Sequence, residues 1–129
     1  MKFIFNTLVA IAMTLSTNTF SAEPISPVVR MPHAVEVATF KLKPGATDGQ
    51  MLELEARIRK GAISKQPGYI SRELGKDEAT GMWLMVMRFD TRKNMDAWVA
   101  NLKTVPEMKE MAGLLDMSSM QMAFYQSLL

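Results

Sequence analysis

Positions 82–89 read MWLMVMRF and are apolar at both parities of an extended chain. Trp83, Met85, Met87 and Phe89 project to one side of a strand, and Met82, Leu84 and Val86 to the other. A sheet with one wet face alternates apolar and polar residues, so this pattern predicts a central strand covered on both faces. The run is short for a helix and follows Gly81. Asp90 and Thr91 end it and offer a helix cap. Met95, Trp98, Val99 and Leu102 then recur at helical spacing and predict a helix over 92–103.

The same reading orders the rest of the chain. Residues 34–43, AVEVATFKLK, are rich in β-branched and aromatic side chains and predict strand one, ended by Pro44-Gly45. Thr47 and Gln50 form a candidate capping box. The helix behind it carries Met51, Leu54, Ile58 and Ala62 on one stripe, with Leu52, Ala56 and Ile63 beside it. Glu55 and Arg59, four apart, are expected as a solvated pair on its wet face. Gln66-Pro67-Gly68 breaks the chain before strand two at 69–74, and a polar loop at 75–81 makes strands two and three a hairpin. Pro106 suits the first turn of a short helix over 107–112, with Gly113 to end it, and 117–125 predicts strand four.

The order β-α-β-β-α-β with right-handed crossovers gives an α+β, ferredoxin-like fold: one antiparallel sheet with both helices on one face. The helices cover one face only, while strand three is apolar on both. A second copy of the same sheet is the simplest cover, so a homodimer is expected.

The first thirty residues follow another pattern. Lys2 precedes a short apolar run from Phe3 to Leu15, and small residues follow, ending Thr19-Phe20-Ser21-Ala22. This is expected to be a signal peptide over 1–22, cleaved after Ser21 or Ala22, which sends the protein to the periplasm or outside the cell. The run is short of the ~20 apolar residues of a membrane-spanning anchor, so no stable span is expected once the leader is removed. No Cys follows it, which excludes a lipoprotein anchor. Pro24, Pro27 and Pro32 make 23–33 an extended linker, leaving 34–129 as one domain.

Without Lys2, 14 basic residues face 13 acidic ones, a formal charge of +1. That balance does not suit a nucleic-acid binder. The absence of Cys excludes thiolate catalysis, thiolate-bound metals and disulfides.

Three stretches carry a family resemblance: 35–45 (VEVATFKLKPG), 66–74 (QPGYISREL) and 83–98, which begins and ends in Trp. Together they resemble the antibiotic biosynthesis monooxygenase (ABM) group of dimeric α+β barrels, and the Phe40-to-Gly45 piece is also similar to the stress-responsive barrel proteins. The resemblance covers about 34–126 and implies the barrel fold and a dimer. The wider group includes cofactor-free oxygenases, quinol oxygenases and haem-degrading enzymes, so fold alone does not settle activity. Aligned on Pro44-Gly45 and Trp98, the polar and iron-ligating positions of the haem-degrading members fall on Ala38, Phe89 and about Ala112. None of these side chains can ligate iron, so haem degradation by that route is not expected.

The candidate ligand-binding residues are Ala38, Phe40, Trp83, Met85, Met87, Phe89 and Trp98, a set that either lines a pocket for a flat apolar ligand or simply fills the core. The polar candidates are Tyr69, Arg72, Glu73, Arg88, Asn101 and Tyr125. Arg88 interrupts an apolar strand and can also simply pair with Glu73 across the hairpin. His33, the single histidine, is a general-base candidate or an exposed linker residue. Eleven of the thirteen methionines follow the leader, and Met117, Met120 and Met122 raise the question of Cu(I). Strand parity separates Met117 from the other two, so no metal is expected. The functional expectation is an exported protein that binds and oxidises a small apolar or aromatic, quinol-like ligand without a cofactor. The alternative is a non-catalytic ligand-binding or stress-associated protein on the same fold.

Overall fold

The computed structural model describes residues 33–128, so the expected leader and all of the linker before His33 lie outside the described residues. Four strands, β1 (Ala34–Leu42), β2 (Tyr69–Asp77), β3 (Met82–Phe89) and β4 (Leu115–Gln126), form one antiparallel sheet in the order β2-β3-β1-β4. The helices α1 (Asp48–Arg57), α2 (Arg92–Asn101) and α3 (Pro106–Leu114) all lie on one face. This is the ferredoxin-like α+β arrangement that the element order predicts.

Helix α1 starts at the expected capping box. The Gln50 N–H donates to Thr47 Oγ1 at 3.2 Å, and the Thr47 N–H donates back to Gln50 Oε1 at 2.9 Å. The helix then widens into a π-helical stretch over Ile58–Ile63. Ile58 and Ile63, five apart, are both fully buried, which the wider turn allows. The second stripe read from the sequence is therefore corrected: Leu52 is 55% exposed and Ala56 is exposed. Glu55 is corrected as well, since it is buried on the stripe between Met51 and Ile58.

Strand β2 runs three residues further than its apolar part, because Gly75, Lys76 and Asp77 pair with Leu84, Trp83 and Met82. The tight turn beyond it is held by Asp77, whose carboxylate accepts from the Ala79 N–H at 3.0 Å and the Thr80 hydroxyl at 2.8 Å. Those hydrogen bonds, the Thr80 hydroxyl first, lower the Asp77 pKa. Strand β3 has the expected bounds. Helix α2 is capped by Thr91, and it gives way to a 3₁₀ turn over Leu102–Thr104 instead of continuing to residue 103. Helix α3 takes Pro106 in its first turn but does not stop at Gly113; it runs to Leu114 and passes directly into β4.

Strand β4 pairs with β1 in two registers. Thr39 faces Gln121, but Lys41 faces Asp116, so residues 117–120 stand opposite Phe40 alone. Asp116 and Ser119 hold this bulge. Ser119 Oγ donates to the Asp116 carbonyl at 2.6 Å and accepts from the Lys41 N–H at 2.8 Å. Bulges re-aim side chains, and this one matters for the methionines described below.

The core lies between the sheet and the helices. Ala34, Ala38, Phe40, Trp83, Met85, Met87 and Phe89 meet Met51, Leu54, Ile58, Met95 and Trp98 there. The opposite sheet face carries Val35, Val37, Leu84, Val86, Ala123 and Tyr125 by strand register. No described residue covers it, and Leu84 is 41% and Tyr125 57% exposed. No described helix is long and apolar enough to cross a membrane.

Candidate functional site

The helix side of the sheet is not filled throughout. A cavity of about 590 Å³ opens between β1, β4 and the α2–α3 corner. Strand β1 supplies Glu36, Ala38 and Phe40; Met85 comes from β3 and Arg72 from β2. Trp98 and Val99 of α2, Leu102 of the 3₁₀ turn and Met108 and Met111 of α3 form the opposite wall. Met117, Met120 and Met122 close the β4 side. The lining is apolar and rich in thioethers, which adapt their shape to a ligand.

Three buried charged side chains break this lining or lie behind it: Glu36, Glu55 and Arg72 are each 3% exposed. Arg72 Nε donates to both Glu55 oxygens, at 2.9 and 3.1 Å. Among the described residues its terminal nitrogens reach only sulfur, Met87 Sδ at 3.8 Å and Met111 Sδ at 3.9 Å. Glu36 differs from Glu55. Its Oε2 is the one buried side-chain oxygen or nitrogen among the described residues that has no hydrogen-bond partner. Burial raises the Glu36 pKa above the usual glutamate range, and the positive charge of Arg72 offsets part of that rise.

The expected site residues divide. Ala38, Phe40, Met85, Trp98 and Arg72 stand on the cavity wall. Trp83 is buried outside it, stacked on Phe40 with ring centroids 6.4 Å apart and planes 3° from parallel, beneath the Lys76 ammonium. Met87 and Phe89 are sealed in the core, and Tyr69 meets Phe89 edge-on at 6.1 Å. Arg88 and Glu73 pair at 3.5 Å on the opposite sheet face, the simpler of the two readings of Arg88. Asn101 is exposed at the end of α2, and Tyr125 is exposed on the uncovered face. His33 lies outside the cavity, in a separate hollow with Arg92 and Phe124, and its carbonyl accepts from the Ser127 N–H at 2.8 Å.

Met117 was expected to point away from Met120 and Met122, yet the β4 bulge brings all three to the cavity wall. Among the described residues no cluster of three or more His, Asp or Glu side chains could hold a metal. Of the three positions aligned with the haem-degrading pattern, Ala38 and Ala112 line the cavity and Phe89 does not.

Glu36 is the residue that the sequence reading passed over. Its signal was present: it shares strand parity with Ala34, Ala38 and Phe40, all of which point inward. Glu55 carried a similar signal, standing four after Met51 and three before Ile58 on the buried stripe.

Fold and site together define a ferredoxin-like α+β domain built around an apolar, small-molecule-sized cavity. Residues 34–121 match the family described as antibiotic biosynthesis monooxygenase, and the chain belongs to that family. Among solved structures, the cofactor-independent oxygenase SnoaB from Streptomyces nogalater is similar at a TM-score of 0.62 and 11% identity, over 75% of this chain and 94% of that one. A protein of Bordetella bronchiseptica described under the same family name gives 0.63 and 18% identity, over 75% and 98% of the two chains. A protein from Shewanella oneidensis gives 0.57 and 20%, over 76% and 93%. These likenesses establish the fold. Comparison with curated proteins finds no match.

Proposed function

We propose that this protein is exported, acts as a homodimer, and binds and oxidises a small apolar or aromatic, quinol-like ligand without a cofactor. The observation that carries the reading is the apolar cavity of about 590 Å³ between the sheet and the α2–α3 corner. Its size suits a ligand of one to three rings. Membership of the family supports a small-molecule-binding or oxygenase-like role. The chemistry asks little of the protein. An ionised hydroquinone or anthrone gives an electron to O₂ directly, and a new C–O bond then forms at the ring. One oxygen atom stays on the product, and the other leaves as water with two hydrogens drawn from the substrate. The protein binds the ring, helps remove its proton and excludes bulk water.

The thioether lining favours a second reading. Flexible methionines fit many ligands without fixing one orientation, which suits a non-catalytic binder. Oxygen uptake separates the two. Purified protein is given a panel of hydroquinones and anthrones in an oxygen electrode, with products identified by mass. Protein-dependent uptake with a quinone product is expected. Binding without uptake assigns the protein to the second reading, and neither binding nor uptake overturns both.

A further inference from the structure

The ligand-site reading of the cavity leaves open which group selects the ligand, and the following inference rests on that reading. We infer that the Glu36 carboxyl is the polar anchor of the cavity, holding the hydroxyl of an uncharged, flat, hydroxylated ring and accepting its proton as the ring ionises. Among the described residues Glu36 is the only acidic side chain on the cavity wall, and its Oε2 is buried without a partner. A buried carboxyl with an unmatched oxygen is costly, so a donor arriving with a ligand is favoured at that group. The walls around it, from Ala38 and Met85 to Trp98, offer apolar surface to the rest of the ring.

The neighbouring charges set the ligand's charge. Arg72 is the buried cation of this region, and its Nε is held by both oxygens of Glu55. Its remaining contacts are the weak sulfur acceptors of Met87 and Met111. Lys103 on the 3₁₀ turn and Lys109 on α3 are exposed where they border the cavity. An anionic ligand would therefore meet the Glu36 carboxylate, while the one buried cation among the described residues already shares its charge with Glu55. A neutral hydroxyl meets an acceptor instead. When the proton moves, the ligand O–H bond breaks, a new O–H bond forms at Glu36, and the electron pair stays on the ligand oxygen. The site's total charge is unchanged, because the negative charge passes from Glu36 to the ring beside Arg72. Burial, which makes Glu36 harder to ionise, also makes its carboxylate a stronger base.

The test uses titration calorimetry with 1-naphthol, its methyl ether 1-methoxynaphthalene, and 1-naphthoate. Wild-type protein is expected to bind 1-naphthol about tenfold more tightly than the ether, with the carboxylate weakest. Glu36→Leu should bind naphthol and ether equally, with the ether within about twofold of its wild-type affinity. Glu36→Gln keeps an acceptor oxygen but no base. Bound 1-naphthol, followed by its naphtholate absorption, should ionise at lower pH in Glu36→Gln than in wild type, because the wild-type carboxylate beside it opposes a second negative charge. A naphthol preference that survives Glu36→Leu, or an ionisation unmoved in Glu36→Gln, overturns the assignment of Glu36. Wild-type protein that binds all three alike overturns it while leaving the cavity reading intact. Wild-type protein that binds none overturns both.

Discussion

Arg72 on β2 and Glu55 on α1 form a buried ion pair, with the guanidinium Nε donating to both carboxylate oxygens at 2.9 and 3.1 Å. The pair ties the sheet to the first helix directly behind the cavity. Arg59 adds only an exposed contact to the same carboxylate, at 3.8 Å. Glu55, not Glu36, takes the hydrogen bonds of the Arg72 Nε, and Glu36 keeps an unmatched buried carboxyl oxygen.

Breaking that pair from one side should be costly. Arg72→Met leaves Glu55 as an uncompensated buried charge, and a loss of about 3–5 kcal/mol of unfolding free energy is expected. The double variant Glu55→Leu/Arg72→Met removes both charges and should recover most of it. Urea denaturation of the two variants beside wild type measures the difference. Equal losses in the single and double variants would show that an uncompensated charge on Glu55 is not what destabilises Arg72→Met.

Glu36 should make stability depend on pH in a defined direction. Its folded pKa is raised above the ordinary 4.5, so the folded protein holds the proton more firmly than the unfolded chain. The associated stabilisation is complete below the unfolded value and is lost as pH rises through the folded one. Glu36→Leu lacks this titration and also removes an unmatched polar atom, a gain on the order of 1–3 kcal/mol. Its stability advantage over wild type should therefore be smallest in acid and widen as pH rises past 4.5 toward neutrality. Urea midpoints across that range give the curve, and a flat difference would contradict it.

The uncovered sheet face should be a dimer contact. Leu84 and Val86 lie on it beside Val35, Val37 and Tyr125, and no described residue shields them. A standard interface buries roughly 800 Å² per partner. If half is apolar, the gross term at ~25 cal/mol per Å² is about 10 kcal/mol per chain before association costs. Light scattering should find wild type dimeric at micromolar concentration. Leu84→Arg should give monomer or aggregate, and Lys93→Glu on the outside of α2 should leave assembly unchanged. Wild type that stays monomeric at about 100 µM would refute the contact.

Much of the fold was legible because single residues carried unambiguous signals. Strand β3 showed its bounds because all its positions but Arg88 are apolar, and α1 showed its start because Thr47 and Gln50 can satisfy each other. The site was less legible. Glu36 sits among Ala34, Val35, Val37 and Ala38, where one acid reads as the wet side of a strand unless parity is counted through it. Glu55 looked like the helix-surface partner of Arg59, because its true partner Arg72 is 17 positions away in sequence. The β4 bulge depends on the hydrogen bonds that Ser119 Oγ donates to the Asp116 carbonyl and accepts from Lys41, which no periodicity records, so the orientation of Met117 does not follow the regular strand register.

The central claim is that the cavity is a ligand site, and its own methionines can report on it. With ¹³C-methyl methionine, the methyl signals of Met85, Met108, Met111, Met117, Met120 and Met122 come from the cavity wall. Met51 and Met95 are fully buried away from it, and Met82 lies on the opposite sheet face by register. Titration with 1-naphthol should shift the wall signals saturably and leave Met51, Met82 and Met95 in place. Shifts confined to Met82, or no shift at any wall methionine, would contradict the account.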